Sequence, residues 1–385
     1  MIQIGLQRLI AENNRLLKGR NVGLVTHAAA VTSDFTSTVD FLLKNDINLK
    51  ALFGPEHGFD GAGADASPME DVIDTRTGLP IFSLYGASKK PSSEALDLVD
   101  VLIFDMQDVG ARFYTFISTL AHVMRAAVYK GLELIVLDRP NPINGLQIEG
   151  PFVEDGFYSF ISEIPIPIRH GMTVGELAQW IAYFEKLDLQ LTVIPMHGWS
   201  RAMWWDETGL PWIPLSPGMA HFSTAIVYPG ACLIEGTNLS EGRGTALPFE
   251  ILGAPWLDGY ALAKSLNELE LQGVCFRPHA FIPTFGKYQD VKCGGVQVHI
   301  TDRNALQPVE MGLHLLAACR SQNPGKFEFL TTSWEGEPPH LDLLIGTSST
   351  RIGLEKGLNI LEITSNWKAI EKDFYESRRP FLLYQ

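Results

Sequence analysis

Apolar residues in the first two hundred positions fall into short unbroken runs separated by helix-spaced stripes. NVGLVT (21–26), LKALF (49–53), DVLIFD (100–105), LELIVLD (132–138) and LQLTVIPM (189–196) are apolar on both faces. Between them, Val39 to Leu43 form a helical stripe and Glu94 to Val99 a short helix. Ile117, Leu120, Ala121, Met124, Ala127 and Val128 recur at helical spacing, with Gly131 as the stop. Thr173 and Glu176 form a capping box that opens GELAQWIAYFEKL. At the N-terminus Leu6, Leu9, Ile10 and Leu17 share one stripe, which Asn13 interrupts. Strands apolar on both faces, alternating with amphipathic helices, predict an α/β lobe with a parallel sheet covered on both sides.

The second half has a different texture, richer in Pro, Gly and Trp. It predicts a helix near 259–272, strands near 274–285 and 295–301, and a helix near 308–321: a mixed α+β lobe. The boundary falls near residue 200, giving lobes 1–200 and 201–385. No repeat or low-complexity tract interrupts either.

Composition narrows the class. With 385 residues, 46% hydrophobic and 19% charged, the chain is globular and large enough for two packed lobes. A net charge of −14 with no long Lys/Arg run argues against nucleic acid or anionic membranes as partners. No apolar run approaches the roughly 20 residues that span a bilayer, so no membrane insertion is expected. The first residues lack the pattern of a secretory leader, which makes the expected location cytoplasmic, or secreted or periplasmic where a leader has been removed. Cys232, Cys275, Cys293 and Cys319 are far apart without a CxxC pair and read as buried free thiols. Oligomeric state is not legible.

Chemistry gathers where the strands end. In a parallel sheet the carboxyl ends of the strands share one edge, where reactive groups collect. Here those ends run into Thr26-His27, into Gly54-Pro55-Glu56-His57-Gly58, into Asp105-Met106-Gln107-Asp108 and on through Arg112 to Tyr114, and into Asp138-Arg139-Pro140-Asn141. Glu56, on a loop stiffened by Pro55 and flanked by glycines, reads either as a general acid or as a solvated turn residue. Asp105 and Asp108 read as second carboxylates, metal ligands or helix caps. Asp138 and Arg139 read as an ion pair with each other or as ligand contacts. Arg169 and His170 precede the Thr173 helix, and Asn238, Glu241 and Arg243 lie on a polar glycine-rich loop of the kind that binds ligands. Trp199, Trp204, Trp205, Trp212 and Trp256 either pack or stack on sugar rings.

Common signatures are lacking. Gly61 to Ala66 fits GxGxxG/A but lies several residues past its strand, and Pro68 follows in place of a helical stripe, so no dinucleotide is expected. There is no GxxxxGK[ST], HExxH or GxSxG, and ten scattered histidines lack paired ligand spacing; neither a metal nor a cofactor is called for.

Eight collinear segments carry a resemblance: GPEHG (54–58), DTRTGLPIFSLYG (74–86), DMQDVGARFYTFIST (105–119), DRPNPING (138–145), EGP (149–151), PIPIRHGMTVGELA (165–178), YPGACLIEGTNLSEGRGTALPFEILGAPW (228–256) and PTFGKY (283–288). Together they resemble the bacterial exo-β-N-acetylmuramidase family, from about residue 21 to 302. The resemblance implies a Rossmann-like N-terminal lobe, a smaller C-terminal lobe and an active site in the cleft between them. It also implies hydrolysis of a non-reducing terminal N-acetylmuramic acid from peptidoglycan-derived saccharides of the MurNAc-GlcNAc type, with Glu56 as the favoured catalytic residue, for which the general-acid role is the expectation. Thr26-His27-Ala28-Ala29-Ala30 and Ser216-Pro217-Gly218-Met219-Ala220 depart from the more polar family pattern. The site expected on this basis has Glu56, His57, Asp105 and Asp108 as catalytic candidates. Its candidate sugar contacts are His27, Gln107, Arg112, Tyr114, Asp138, Arg139, Asn141, Arg169, His170, Asn238, Glu241 and Arg243. An arginine among 112, 139, 169 and 243 is expected to read the lactyl carboxylate, since a guanidinium fork matches that group. A metal-dependent hydrolase using Glu56, His57, Asp105 and Asp108, and a non-catalytic muropeptide binder, are the competing classes.

Overall fold

The computed structural model describes residues 2–64, 67–86, 88–331 and 336–385; Asp65 and Ala66 of the glycine-rich run lie outside them. Seven strands, β1 (Val22–Thr26), β2 (Leu49–Gly54), β3 (Val72–Ile73), β4 (Pro80–Ser83), β5 (Val101–Asp105), β6 (Glu133–Leu137) and β7 (Leu191–Ile194), form one sheet. Their order is β3-β4-β2-β1-β5-β6-β7, parallel throughout except for the edge strand β3. Strand order reverses between β1 and β5, the position where α/β sheets open a crevice.

The double coverage follows from the strand sequences. Val101 and Ile103 of β5 join one core cluster while Leu102 and Phe104 join another, and β6 divides Ile135 and Leu137 from Leu134 and Val136 in the same way. On one face the first cluster takes in Leu6 and Leu9 of α1 (Gly5–Glu12) and Val39 and Leu42 of α2 (Thr38–Lys44). Past α3 (Ser93–Leu96), the other face packs α4 (Phe116–Lys130) and α5 (Val174–Phe184), whose Thr173–Glu176 capping box is formed. The amphipathic N-terminal helix is shorter than its stripe, because Asn13 ends it and Leu17 packs only after a 3₁₀ turn.

The rest of the chain adds α6 (Phe222–Ala231), a three-stranded antiparallel sheet of β8 (Ile251–Ala254), β9 (Val274–Phe281) and β10 (Cys293–Ile300), and α7 (Gly259–Asn267) and α8 (Pro308–Gln322). Four further helices follow: α9 (His340–Ile345), α10 (Ser349–Glu355), α11 (Ile360–Ile363) and α12 (Trp367–Ser377). Helix α7 stops five residues short of expectation. Asn267 turns its amide to both backbone groups of Phe276, and Glu270 takes a φ of 52° to redirect the chain into β9. Cys275 is exposed on β9, contrary to the expectation of four buried thiols; the other three are buried. Among the described residues, no helix is long and apolar enough to cross a membrane.

Candidate active site

The four strand-end loops meet, but they divide into a buried scaffold and a cavity wall. Asp105 is fully buried and takes a forked bond from Arg139, Nε at 2.5 Å and Nη2 at 3.0 Å, plus the Thr38 hydroxyl. Asp138 pairs elsewhere: it accepts from the Thr173 hydroxyl, the Gly175 and Arg139 amides and the Tyr384 hydroxyl. The expected Asp138–Arg139 ion pair is therefore replaced by Asp105–Arg139. Asp108 caps a turn at the Gly110 amide, where φ is +88° and a Cβ would collide with Asn141 and Ile143, and it faces His170 Nε2 at 3.3 Å.

The other buried candidates are similarly committed. Arg112 donates to four carbonyls, of Pro151, Ile166, Leu344 and Ile345, and Arg169 pairs with Glu149 and the Ile143 carbonyl. Gln107 donates to the Asp108 and Pro140 carbonyls, and Asn141 ties the Met172 carbonyl to the Ile143 amide. His27 Nε2 accepts from the Gln107 amide; burial, with Arg139 and His57 nearby, lowers its pKa to about 3, so the ring is neutral. Asn238 ties the Lys326 carbonyl to the Glu328 amide. None of these lines the cavity described next.

That cavity, of about 640 Å³, lies between the two halves of the chain. From the first half come Glu56, His57, Tyr85, Phe113, Tyr114, Thr115, Phe160 and Ile161. From the second come Ser216, Pro217, Met219, Tyr228, Glu235, Glu241, Arg243, Phe249, Phe285, Lys287 and His340. Of the expected site residues it gathers Glu56, His57, Tyr114, Glu241 and Arg243. Of the two departing segments, Ser216–Met219 contributes to the wall and residues 26–30 do not. The five tryptophans expected to pack or stack contribute nothing to it; three are buried and two partly so.

Glu56 is held in place by both neighbours of its loop. His57 adopts a φ of 69° and Gly58 one of 80°, a tight reversal after Pro55. His57 Nδ1 lies 3.0 Å from the Gly63 carbonyl, and since a carbonyl only accepts, Nδ1 carries the proton. The Thr115 hydroxyl, at the N-cap of α4, makes no bond to its own helix and instead donates to Glu56 Oε2 at 2.7 Å. A proton on this carboxyl is thereby directed to Oε1.

Across the cavity sits a charge cluster that sequence reasoning only half found. Arg243 places Nε at 3.0 Å and Nη2 at 2.7 Å from Glu235 Oε1, and lies 4.9 Å from the Phe249 ring centroid. Lys287 reaches Glu241 at 3.1 Å and the Glu235 carbonyl at 3.2 Å. Burial works to raise the Glu235 carboxyl, but Arg243, with His340 and Lys287, outweighs it and holds Glu235 below the usual carboxylate range. Burial raises the Tyr228 hydroxyl and the Cys232 thiol well above their ordinary values. Lys287 and Glu235 stand inside the PTFGKY and YPGAC–APW segments, so their motifs carried a signal; His340 and Phe160 stand in none. Among the described residues no three His, Cys, Asp or Glu side chains are grouped to hold a metal ion.

Comparison with known proteins decides the family. The family model described as exo-beta-N-acetylmuramidase NamZ, N-terminal, matches residues 22–223, and its C-terminal counterpart matches residues 226–384. The chain belongs to the NamZ exo-β-N-acetylmuramidase family. It is 43% identical over 384 residues to the peptidoglycan beta-N-acetylmuramidase NamZ of Bacillus subtilis (strain 168), covering 100% of this chain and 91% of that protein. Two crystal structures of DUF1343 family proteins from Bacteroides fragilis share its fold. One has a TM-score of 0.89 at 36% identity and the other 0.78 at 30%, each covering 100% of this chain and 99% of the other. The NamZ models meet within α6, at the entry to the half that supplies the Glu235–Arg243 cluster.

Proposed function

We propose that this NamZ-family protein is a glycosidase that releases non-reducing terminal N-acetylmuramic acid from peptidoglycan fragments of the MurNAc-GlcNAc type, with Glu56 as its general acid. Identity of 43% over 384 residues to a peptidoglycan β-N-acetylmuramidase supports the activity. The single observation that supports the acid is Glu56, only 9% exposed in the cavity wall and oriented by Thr115. In this reading Oε1 protonates the leaving glycosidic oxygen while Thr115 keeps Oε2 an acceptor. Protonating the leaving group in this way contributes about 10²- to 10⁴-fold.

A second group must meet the positive charge that develops on the sugar ring. Asp105 and Asp108 belong to the scaffold, whereas the Glu241 carboxylate lines the cavity. Glu241 takes that role, with the substrate's own 2-acetamido oxygen as the other available nucleophile. The His57 Nδ1 contact with the Gly63 carbonyl helps to fix the loop that carries Glu56. The test is release of free N-acetylmuramic acid from the MurNAc-GlcNAc disaccharide. Wild-type turnover with loss in Glu56→Gln, at unchanged melting temperature, is expected; turnover at near wild-type rate in that variant overturns the assignment.

A further inference from the structure

N-Acetylmuramic acid differs from N-acetylglucosamine by a lactyl ether that ends in a carboxylate, so a site that selects it needs a cation the protein has not already neutralised. The arginines at 112, 139 and 169 are buried in the scaffold. Arg243 is forked onto Glu235 and Lys287 is bound to Glu241. Another cation lies against two aromatic rings of the cavity wall. Lys89 Nζ lies 4.2 Å from the Phe160 ring centroid and 5.5 Å from that of Tyr85, and both rings line the cavity. Among the described residues its ammonium has no carboxylate at ion-pair distance; two aromatic faces hold it instead.

We propose that Lys89 is the residue that reads the lactyl carboxylate and thereby sets the preference for muramic acid; the proposal rests on the glycosidase reading above. Three features of the position suit the task. A cation held by ring quadrupoles keeps its full charge for a ligand anion, whereas one in a salt bridge must break that bridge first. The Tyr85 and Phe160 rings offer the apolar face on which a pyranose packs, beside the charge that its substituent needs. Glu56 acts through space on Lys89, so the ammonium belongs to the same electrostatic environment as the acid. Burial pulls Lys89 below the ordinary lysine range, with Glu56, Glu163 and Glu337 opposing, as expected for an ammonium that lacks a close counter-ion.

The experiment crosses protein charge with ligand charge. The chromogenic N-acetylmuramic acid glycoside and its lactyl methyl ester are assayed with wild type, Lys89→Met and Lys89→Arg, each checked for an unchanged thermal melt. Methionine keeps an unbranched stem on Phe160 and removes only the charge. The wild type is expected to prefer the acid over the ester by about tenfold or more in kcat/KM, carried mainly in KM. Lys89→Met is expected to lose that factor on the acid and nothing further on the ester, and Lys89→Arg to retain most of it. A Lys89→Met enzyme that still prefers the acid, or that loses equally on acid and ester, overturns the role of Lys89 while leaving the glycosidase reading intact. Wild-type enzyme that turns over neither compound overturns both.

Discussion

A carboxylate at a strand end is a catalyst, a cap or half of an ion pair according to what lies opposite it, and the partner is set by residues far away in sequence. Asp105 meets Arg139 and Thr38; Asp108 meets Gly110 and His170; Glu56, on the neighbouring loop, takes a threonine hydroxyl at the head of a helix and lines the cavity. His27 illustrates the energetic consequence. Its folded pKa of about 3 lies below the 6.5 of an exposed histidine, through burial first and then Arg139 and His57. As pH falls below 6.5 the unfolded chain takes up this proton and the native protein does not, so native stability falls across the window from 6.5 down to about 3. Between pH 6.5 and 5 this amounts to about 1.5–2 kcal/mol for the one group. Urea unfolding of the wild type and His27→Asn at both values should show a difference of that size in their pH dependence; parallel curves would mean that His27 titrates normally. The sequence made these polar residues visible as a set. It did not divide them, because burial and partner are properties of the assembled loops.

At the scale of elements, the pattern of apolar runs was enough to place β1, β2, β5, β6 and β7 and the helices between them, since strands buried on both faces leave an unmistakable run. The β3–β4 hairpin was not legible: Val72 and Ile73 are exposed, and a two-residue edge strand carries no alternation to read. Helices α9 to α11 also escaped, being only four to seven residues long, and so did α12, although Trp367, Ile370 and Phe374 stand at helical spacing on it. The helix that matters most for function is α4, because its N-cap residue is diverted. A threonine in that position ordinarily bonds its own second or third amide, and losing that bond costs about 0.5–2 kcal/mol. Here the hydroxyl serves Glu56. Thr115→Val should therefore leave the urea midpoint nearly unchanged while lowering kcat about tenfold through a poorly oriented acid. A loss of stability with full activity would return Thr115 to ordinary capping.

The whole molecule is tied together by buried arginines, one of which, Arg112, looks in the sequence like a ligand reader. Arg112 joins carbonyls of Pro151 and Ile166 to those of Leu344 and Ile345, nearly two hundred residues on. Arg378 binds the carbonyls of Gly145, His170 and Gly171, and Tyr384 bonds Asp138. The larger core cluster runs without a break from Phe104 and Val136 of the main sheet to Leu252 and Val296 of the small one. A lobe boundary near residue 200 describes the change in texture, yet these ties cross it repeatedly. One cooperative unfolding transition, coincident by circular dichroism and tryptophan fluorescence, is expected; two separated transitions would show that the halves fold independently. The cavity walls come from both halves, so their mutual placement is also what assembles the site.

If Glu56 gives a proton to the leaving oxygen, its contribution must depend on the leaving group. A 4-nitrophenolate departs without help, whereas a sugar alkoxide does not. Rates of Glu56→Gln relative to wild type should be measured on the 4-nitrophenyl glycoside of N-acetylmuramic acid and on the MurNAc-GlcNAc disaccharide. A loss of about 10²- to 10⁴-fold is expected on the disaccharide and a much smaller one on the nitrophenyl glycoside. Equal losses on both substrates would contradict it, since a group that matters regardless of the leaving oxygen is not its acid.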